Sequence, residues 1–409
     1  MTQAASQALA ITQTLNRVMQ QDRGRLLAAL VARLRDFQMA EDVLQEAAIS
    51  ALVHWGRAGL PHSPQGWLLK VALRRAIDRI RARKRTDHNT AEMAVLAEEE
   101  AADMVPDMIR DERLRLIFTC CHPSLDPKSR VALTLRSLCG LSTGDVARVF
   151  LDAEPTMGQR LTRARSKILA AGIPYSVPGP EDWAERLNSV LTVVYLVFTT
   201  GYAAGPGAGR DLCEEGIYLG RMLNELRPNE AEVEGCLALM LITHARMGAR
   251  VGSEGVTIPL SMQDRSLWNQ TSIDQGLAHL QTAMERRRPG PFQLKAAIAA
   301  CHVHPAAPDW PQIAVLYGAL MHWEPSPIVA LNQAVAQMES GDLAAAVQSV
   351  GALGDTLANY QPFHAAHAEV LRRNGHTADA IAAYDRAIAL ADRPEDAAFL
   401  RNRRAALQQ

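Results

Sequence analysis

Apolar residues recur at intervals of three and four along nearly the whole chain, which is the spacing of one face of an α-helix. Patterns typical of β-strands are nearly absent, so the sequence predicts an all-α fold. Loops rich in Gly and Pro interrupt the helical pattern at residues 56–64 and 172–180. We therefore predict three helical domains, at residues 9–85, 111–172 and 181–409. An acidic linker at residues 86–110 joins the first two.

The first helical stretch ends in a strongly basic helix. Lys70 to Arg85 contains eight Lys and Arg residues against a single acid, Asp78, while an apolar stripe follows the other face. Trp67 precedes the basic run, where an indole can stack on an unpaired base or serve as a core residue. An earlier helix carries Asp42, Gln45 and Glu46 on one polar face, which suits a protein partner.

Two short helices follow in the second unit, from Leu141 to Leu169. Ser142 is a candidate N-cap for the first, and the second begins near Thr156 with four basic residues and no acid up to Ala170. This arrangement predicts a helix-turn-helix, whose second helix fits the major groove of DNA. The packing face of that helix is assigned to Met157, Leu161, Ala164 and Ile168. A solvated cationic face of a bundle helix is the alternative interpretation.

The C-terminal part contains an internal repeat of 34 residues. Gly341 matches Gly375 at this spacing, and so do Ala334 with Ala368, Ala346 with Ala380, and Val350 with Tyr384. Small residues at helix crossings and a glycine at the turn resemble the tetratricopeptide repeat. The segment Ile313 to Pro325 is predicted to be the second helix of another copy, and an irregular helical bundle is the alternative.

Charge divides the chain more sharply than its total of −1 suggests. Residues 1–175 carry 25 Lys+Arg against 19 Asp+Glu, a net of +6, and the remainder carries 18 against 25, a net of −7. A polyanionic partner is therefore expected at the front half only. The six scattered cysteines favour a reduced, cytoplasmic protein, and no signal peptide is indicated. The apolar run Ser189–Ala204 is too short to span a membrane and is predicted to be a buried helix.

Little in the sequence points to catalysis or to a bound metal. Cys120, Cys121 and His122 are adjacent, which is poor chelating geometry, and core packing is the better interpretation. No nucleophile elbow, phosphate loop or paired-carboxylate motif occurs. We predict no enzyme activity, no cofactor and no metal site.

The order of these features resembles the extracytoplasmic-function (ECF) class of RNA polymerase sigma factors. "EDVLQEA" resembles region 2.2 of that class, "GWLLKVALRRAIDRIR" regions 2.3 to 2.4, and "LSTGDVARVFLDAEPTMGQRLTRARSKI" region 4.2. "TCCHPSL", "YLVFTTGYAA", "QDRSLWN" and "RPGPFQLKAAIAACH" further resemble the group with a fused C-terminal tetratricopeptide-like extension. The chain departs from the class at Arg74, where an Asn is common.

This resemblance implies roles for individual residues. Core polymerase would be contacted by Asp42, Gln45 and Glu46, and the loop at residues 57–64 would help to form a pocket for a flipped base. The −10 strand would meet Trp67, Arg74, Arg75, Arg79 and Arg83. The −35 element would be read by Thr156, Gln159, Arg160 and Arg163, with Arg165 and Lys167 nearer phosphates. The acidic linker would thread the basic RNA-exit channel of the polymerase or act as a plain tether.

The expected partners are core RNA polymerase and promoter DNA, with no membrane. The fused C-terminal domain is expected to regulate the factor, by covering its DNA-binding faces or by assisting core binding, and its surface could receive a protein or peptide. Two alternatives remain open. One is a helix-turn-helix regulator with a tetratricopeptide-like sensor that needs no polymerase, and the other is a helical scaffold whose basic faces bind acidic partners.

Overall fold

The computed structural model describes residues 3–84, 106–150, 152–204, 211–252, 258–304, 307–391 and 394–408. Within these ranges the chain forms α-helices joined by short loops and contains no β-strand, so the predicted all-α fold is confirmed. The chain divides into two compact units, at residues 1–200 and 201–409. Most of the predicted acidic linker lies outside the described residues.

The first unit contains two helical groups. The first group has four helices, α1 (Gln3–Gln21), α2 (Arg23–Leu34), α3 (Phe37–Ala58) and α4 (Pro64–Lys84). The second group also has four, α5 (Pro106–Cys120), α6 (Pro127–Ser137), α7 (Thr143–Val149) and α8 (Glu154–Ala170). Helix α9 (Trp183–Ala204) begins in this unit and continues across its boundary.

The two groups share one compact unit because α2 packs against α5 and because residues after α8 fold back. The Tyr175 hydroxyl lies 2.9 Å from the carbonyl oxygen of Ala28 and 3.1 Å from that of Glu112. Trp183 packs on Phe118 with 5.2 Å between ring centroids. The first unit therefore extends beyond the loop at 172–180, where the sequence placed a domain boundary.

The described residues of the second unit form ten further α-helices, besides three short 3-10 helices between His244 and Gln270. They are α10 (Leu212–Leu226), α11 (Ala231–His244), α12 (Gln270–Glu285), α13 (Pro291–His302), α14 (Trp310–Trp323), α15 (Pro327–Glu339), α16 (Leu343–Ala352), α17 (Gln361–Arg373), α18 (Thr377–Ala389) and α19 (Pro394–Ala405). Most of them pack on their neighbours in sequence, as in a repeat protein, whereas α13 packs mainly on α11, two helices earlier.

The 34-residue repeat has a direct structural counterpart in the helix pairs α15–α16 and α17–α18. Gly341 and Gly375 occupy the two turns with φ of 96° and 84°, a conformation that a side chain makes unfavourable. The paired small residues Ala334 and Ala368 are both fully buried. Arg373 bonds Glu339, its neighbour one repeat earlier, at 2.6 Å. These contacts support the tetratricopeptide-like interpretation, and α14 forms where the earlier copy was predicted.

The apolar run at residues 189–204 forms most of α9. Val190, Val194, Val197 and Phe198 of this helix are fully buried, which agrees with the predicted core helix. No helix among the described residues is both long enough and apolar enough to cross a bilayer.

Candidate nucleic-acid interface

A groove between α3 and α4 brings together most of the residues predicted to meet the −10 strand. Its volume is about 560 Å³. Its lining residues are Glu46, Ser50, His54, Trp67, Val71, Arg74, Arg75, Asp78 and Arg79. The side chain of Arg83, the fifth predicted −10 residue, lies outside the described part of the chain. An aromatic ring and three arginines around one open groove are the side chains that bind unpaired nucleotides.

Trp67 is half-buried and held by two rings of α3. Its indole stacks on His54, with centroids 5.4 Å apart and an interplanar angle of 24°, and meets Trp55 edge-on at 5.5 Å. Trp55 is fully buried and belongs to the core, whereas Trp67 lines the groove. Trp67 therefore packs against α3 and also lines the groove, and its stacking on an unpaired base stays a prediction.

The predicted polymerase-binding carboxylates pair with two of the predicted −10 arginines. Arg75 donates to Glu46 at 2.9 Å and to Ser50 at 2.7 Å, while Arg79 pairs with Glu46 and lies 3.6 Å from Asp42. These ion pairs are about one-third exposed, so they fix α3 against α4 with little net stabilisation. Spacing along each helix gave no sign of this pairing.

Two of the predicted residues are exposed and lie outside these pairs. Arg74 is exposed at the groove, and no ion pair to it is found within the described ranges. Gln45 is exposed on α3, between Asp42 and Glu46. Arg74 is thus available to a polyanion and Gln45 to a protein partner.

The helix-turn-helix consists of α7 and α8. Ser142 caps α7 as predicted, and its hydroxyl forms a capping box with Asp145. The second helix begins at Glu154, two residues before the predicted start, because Pro155 is compatible with the first turn of a helix. Met157, Leu161, Ala164 and Ile168, the predicted packing residues, are all buried.

Four of the six residues predicted to contact the −35 element form one exposed stripe on α8. They are Thr156, Gln159, Arg163 and Lys167, at spacings of three and four, and each is exposed. Arg160 is only partly exposed and its guanidinium lies 3.7 Å from Asp126, at the N-cap of α6. The stripe offers two cations and two uncharged hydrogen-bonding groups to a polyanion.

Arg165, the sixth of these residues, lies away from the stripe and pairs with the first helical group. Its side chain is only 11% exposed and forms an ion pair with Glu41 of α3, and its Nη1 donates to Gln38 at 3.1 Å. In this arrangement Arg165 cannot contact a phosphate unless the ion pair opens.

Glu41 is the centre of a buried cluster that joins the two helical groups. Its carboxylate is 7% exposed and accepts a hydrogen bond from Arg23 of α2 at 3.1 Å. Arg136 of α6 approaches it at 3.8 Å, in addition to Arg165 of α8. Burial lowers the pKa of Arg23, and neighbouring Arg136 lowers it further, although Glu41 opposes both effects. One carboxylate thus balances three arginines from three other helices.

Sequence reasoning did not single out Glu41, although a signal was present. Glu41 lies four residues after Phe37 and three before Leu44, both of which are buried, so an acid interrupts the apolar face of α3. Gly140 supports the same junction, since it has φ of 73° and an added Cβ would lie 2.9 Å from Cδ of Arg23. Position 140, in the loop before α7, therefore has no room for a side chain beside Arg23 of α2.

The adjacent cysteines belong to the core of the second helical group. Cys120 and Cys121 are fully buried, and the Cys121 thiol lies 3.5 Å from the Thr134 hydroxyl. Burial raises the pKa of Cys121 to about 11, so it stays a neutral thiol at physiological pH. Both cysteines therefore act as packing residues, which is the interpretation that the sequence favoured.

These observations define a helical protein with two potential nucleic-acid surfaces, and comparisons with known proteins identify its class. Residues 18–86 match the model for sigma-70 region 2, and residues 115–168 match the model for sigma-70 region 4. The first matched segment covers α2, α3, α4 and the end of α1, and the second covers α6, α7, the C-terminal part of α5 and nearly all of α8. Residues 186–284 match a family of unknown function, DUF6596.

Similar proteins agree with this class. RNA polymerase sigma-H factor of Pseudomonas aeruginosa is 33% identical over 153 residues, which is 35% of this chain and 78% of that protein. ECF RNA polymerase sigma factor SigC of Mycobacterium tuberculosis is 30% identical over 152 residues, 36% of this chain and 78% of that factor. The chain belongs to the ECF sigma factors of the sigma-70 family.

The extended architecture also occurs in a relative. An uncharacterized protein of Rhizobium meliloti is 42% identical over 390 residues, which is 93% of this chain and 92% of that protein. The similarity therefore covers both sigma regions and the second unit together. Members of the sigma factor family are non-enzymatic transcription initiation factors.

Proposed function

We propose that this sigma factor binds core RNA polymerase through α3 and directs initiation at promoters by contacts to both the −10 and −35 elements. The observation that carries the proposal is the separation of two exposed basic surfaces, each on a matched sigma region. One is the groove with Trp67 and Arg74, and the other is the exposed stripe of α8.

The groove suits an unpaired strand. A base stacked on Trp67 gains about 1–3 kcal/mol, which offsets the few kcal/mol needed to unstack it from the duplex. Arg74 lies beside this ring and can neutralise a phosphate. Arg75 and Arg79 already neutralise Glu46, so in this proposal they shape the groove and Arg74 supplies most of its free positive charge.

The α8 stripe suits duplex DNA. Arg163 can donate two hydrogen bonds to a guanine edge in the major groove, a contact worth about 1–3 kcal/mol of discrimination. Thr156 and Gln159 lie nearer the start of the helix, the end that points into the groove in helix-turn-helix complexes. Lys167 lies one turn beyond Arg163 and is positioned for a phosphate.

Arg165 connects DNA recognition to the junction between the two sigma regions. In the structure its guanidinium is occupied by Glu41 and Gln38. We therefore propose that region 4 leaves this arrangement when the factor binds polymerase and promoter, which frees Arg165 for the phosphate contact. The second unit is proposed to regulate this step through a protein or peptide bound to its helical repeats.

The simplest test of the proposal is to measure how tightly the full chain binds core polymerase with and without the substitution Gln45→Arg. This residue is exposed and unpaired among the described groups, whereas reversing the charge of Glu46 would also break the pairing of α3 with α4. We expect Gln45→Arg to weaken core binding at least tenfold. The matched control is Gln13→Arg, at an exposed position on α1. Equal affinity of both variants and the unchanged protein would contradict the predicted core-binding face.

The alternative of a regulator that acts without polymerase makes a different prediction. Such a protein would bind duplex DNA specifically through α8 and would be insensitive to Gln45→Arg. A scaffold would bind DNA weakly and without sequence preference. A salt titration of DNA binding, with and without core polymerase, separates these outcomes from the sigma factor.

A further inference from the structure

A cluster of three metal-binding residue types lies in the second unit, away from both nucleic-acid surfaces. Asp211 and Cys213 lie at the start of α10, and His244 ends α11. One donor atom from each lies within 4.8 Å of the other two. We propose that Asp211, Cys213 and His244 form a binding site for a divalent transition metal ion, with Zn²⁺ as the best match.

The donor set and its spacing fit zinc. Thiolate, imidazole and carboxylate are the three protein ligands of Zn²⁺, at about 2.0–2.3 Å from the ion. Tetrahedral ligands at that distance lie about 3.3–3.8 Å apart. His244 Nε2 lies 4.0 Å from Asp211 Oδ2, so side-chain shifts of about 1 Å or less would complete the coordination.

The Asp211 carboxylate is already oriented by the backbone. Its Oδ1 accepts hydrogen bonds from the backbone N–H of Cys213 at 2.8 Å and of Glu214 at 3.3 Å. These bonds cap α10 and leave Oδ2 directed toward His244. One oxygen thus serves the helix while the other is placed for an ion.

Glu214 supplies the outer partner that a metal-bound histidine usually has. Its Oε1 lies 3.7 Å from His244 Nδ1, on the ring nitrogen opposite the one that faces Asp211. That distance is beyond a hydrogen bond, and a side-chain shift of about 1 Å would give His244 the carboxylate partner that leaves Nε2 free for the metal and fixes the ring. This second carboxylate is an observation independent of the three ligands.

The cysteine is fixed in position, and the site remains open to solvent. Cys213 is fully buried, and an added Cβ on Gly201 would come within 2.7 Å of its backbone nitrogen. Asp211 is half exposed, which leaves room for a water molecule as the fourth ligand. A divalent cation binds the thiolate form of cysteine, so binding at this site would release the Cys213 thiol proton to solvent.

The consequence of binding is a link between α10 and α11. The ligands come from positions 31 residues apart, so an ion would tie the start of one helix to the end of the next. It would also stabilise the folded unit according to its concentration and affinity. The site lies within the segment that matches the family of unknown function, and it does not depend on the sigma factor proposal.

The test is metal binding by the purified full chain after treatment with a chelator. Zn²⁺ affinity is measured by competition with a chromogenic chelator, and Co²⁺ is used as a spectroscopic probe. We expect one Zn²⁺ per chain and a thiolate-to-cobalt charge-transfer band, both lost in Cys213→Ala and His244→Ala. Matched controls are Cys301→Ala and His279→Ala, since His279 also pairs with a glutamate but has no cysteine in its cluster.

Two milder variants separate the metal site from folding. Asp211→Asn keeps a good N-cap, because asparagine caps helices as well as aspartate, yet it removes the charged ligand. Glu214→Gln removes only the outer carboxylate and should lower Zn²⁺ affinity about 10- to 100-fold. The proposal is overturned if the unchanged chain binds Zn²⁺ no more tightly than the double variant of Cys213 and His244. A complex without the cobalt–thiolate band, or equal losses in the controls, would also overturn it.

Discussion

Replacement of Glu41 by glutamine should lower the stability of the first unit by more than the loss of an exposed helix charge would. The substitution keeps the size of the side chain and removes its charge. Arg23 and Arg165, which are 7% and 11% exposed, then lose the anion that balances them. Removing one partner of a buried ion pair costs about 3–5 kcal/mol, because the remaining charge is left uncompensated.

Glu46→Gln provides a matched control for this change. Glu46 lies five residues further along α3 and also pairs with two arginines, but its side chain is 33% exposed. Ion pairs at that exposure contribute about 0–1 kcal/mol. The two substitutions therefore differ mainly in burial, and the expected effects differ by at least about 2 kcal/mol.

Hydrogen exchange of the full chain, followed by mass spectrometry, can measure the difference locally. Because 1.4 kcal/mol corresponds to a factor of ten, exchange in α3 and α8 should be about a hundredfold or more faster in Glu41→Gln. The same segments in Glu46→Gln should change less than tenfold. Equal protection in the two variants would refute the argument that Glu41 holds region 4 against region 2.

Three further results are expected from the site and the fold. Trp67→Ala should weaken binding of single-stranded −10 DNA to the polymerase complex by about 1–3 kcal/mol, measured by fluorescence anisotropy, and unchanged binding would exclude stacking on this ring. Gly235→Ala should lower the free energy of unfolding in urea by about 1–3 kcal/mol, because the new Cβ would lie 2.7 Å from the Gln293 backbone nitrogen. Gly351→Ala is the control, because the space around that position is open, and it should not lower the stability. Burial, reinforced by Arg246, lowers the pKa of His302 to about 4. The free energy of unfolding that depends on neutral His302 is therefore fully present above pH 6.5 and falls by up to about 3 kcal/mol as the pH drops toward 4. His302→Gln should remove this fall from the pH dependence of thermal unfolding.

The sequence was sufficient for features that depend on local pattern. Ser142 as an N-cap, the buried face of α8 and the 34-residue register of Gly341 and Gly375 were all predicted and are confirmed. Each follows from the spacing of residue types within one helix or one repeat. Each of these features involves only a few helical turns that are adjacent in sequence.

Contacts between distant helices could not be obtained in the same way. Helical spacing placed Arg165 on a basic helix, but it carried no information that Glu41, 124 positions earlier, would bind it. The pairing of Glu46 with Arg75 and Arg79 likewise depends on how α3 packs against α4. Asp211 and His244 meet only because α10 and α11 are antiparallel neighbours. A run of charged residues indicates that some of them form ion pairs, but which residues pair depends on the tertiary packing of the helices.

In vitro transcription with core polymerase, on a library of promoters, tests the central claim most directly. We predict that the full chain supports initiation from a discrete set of promoters. We further predict that Arg163→Ala relaxes base preference at one −35 position, while core binding is preserved. A folded chain that neither binds core polymerase nor supports initiation from any promoter would contradict the account.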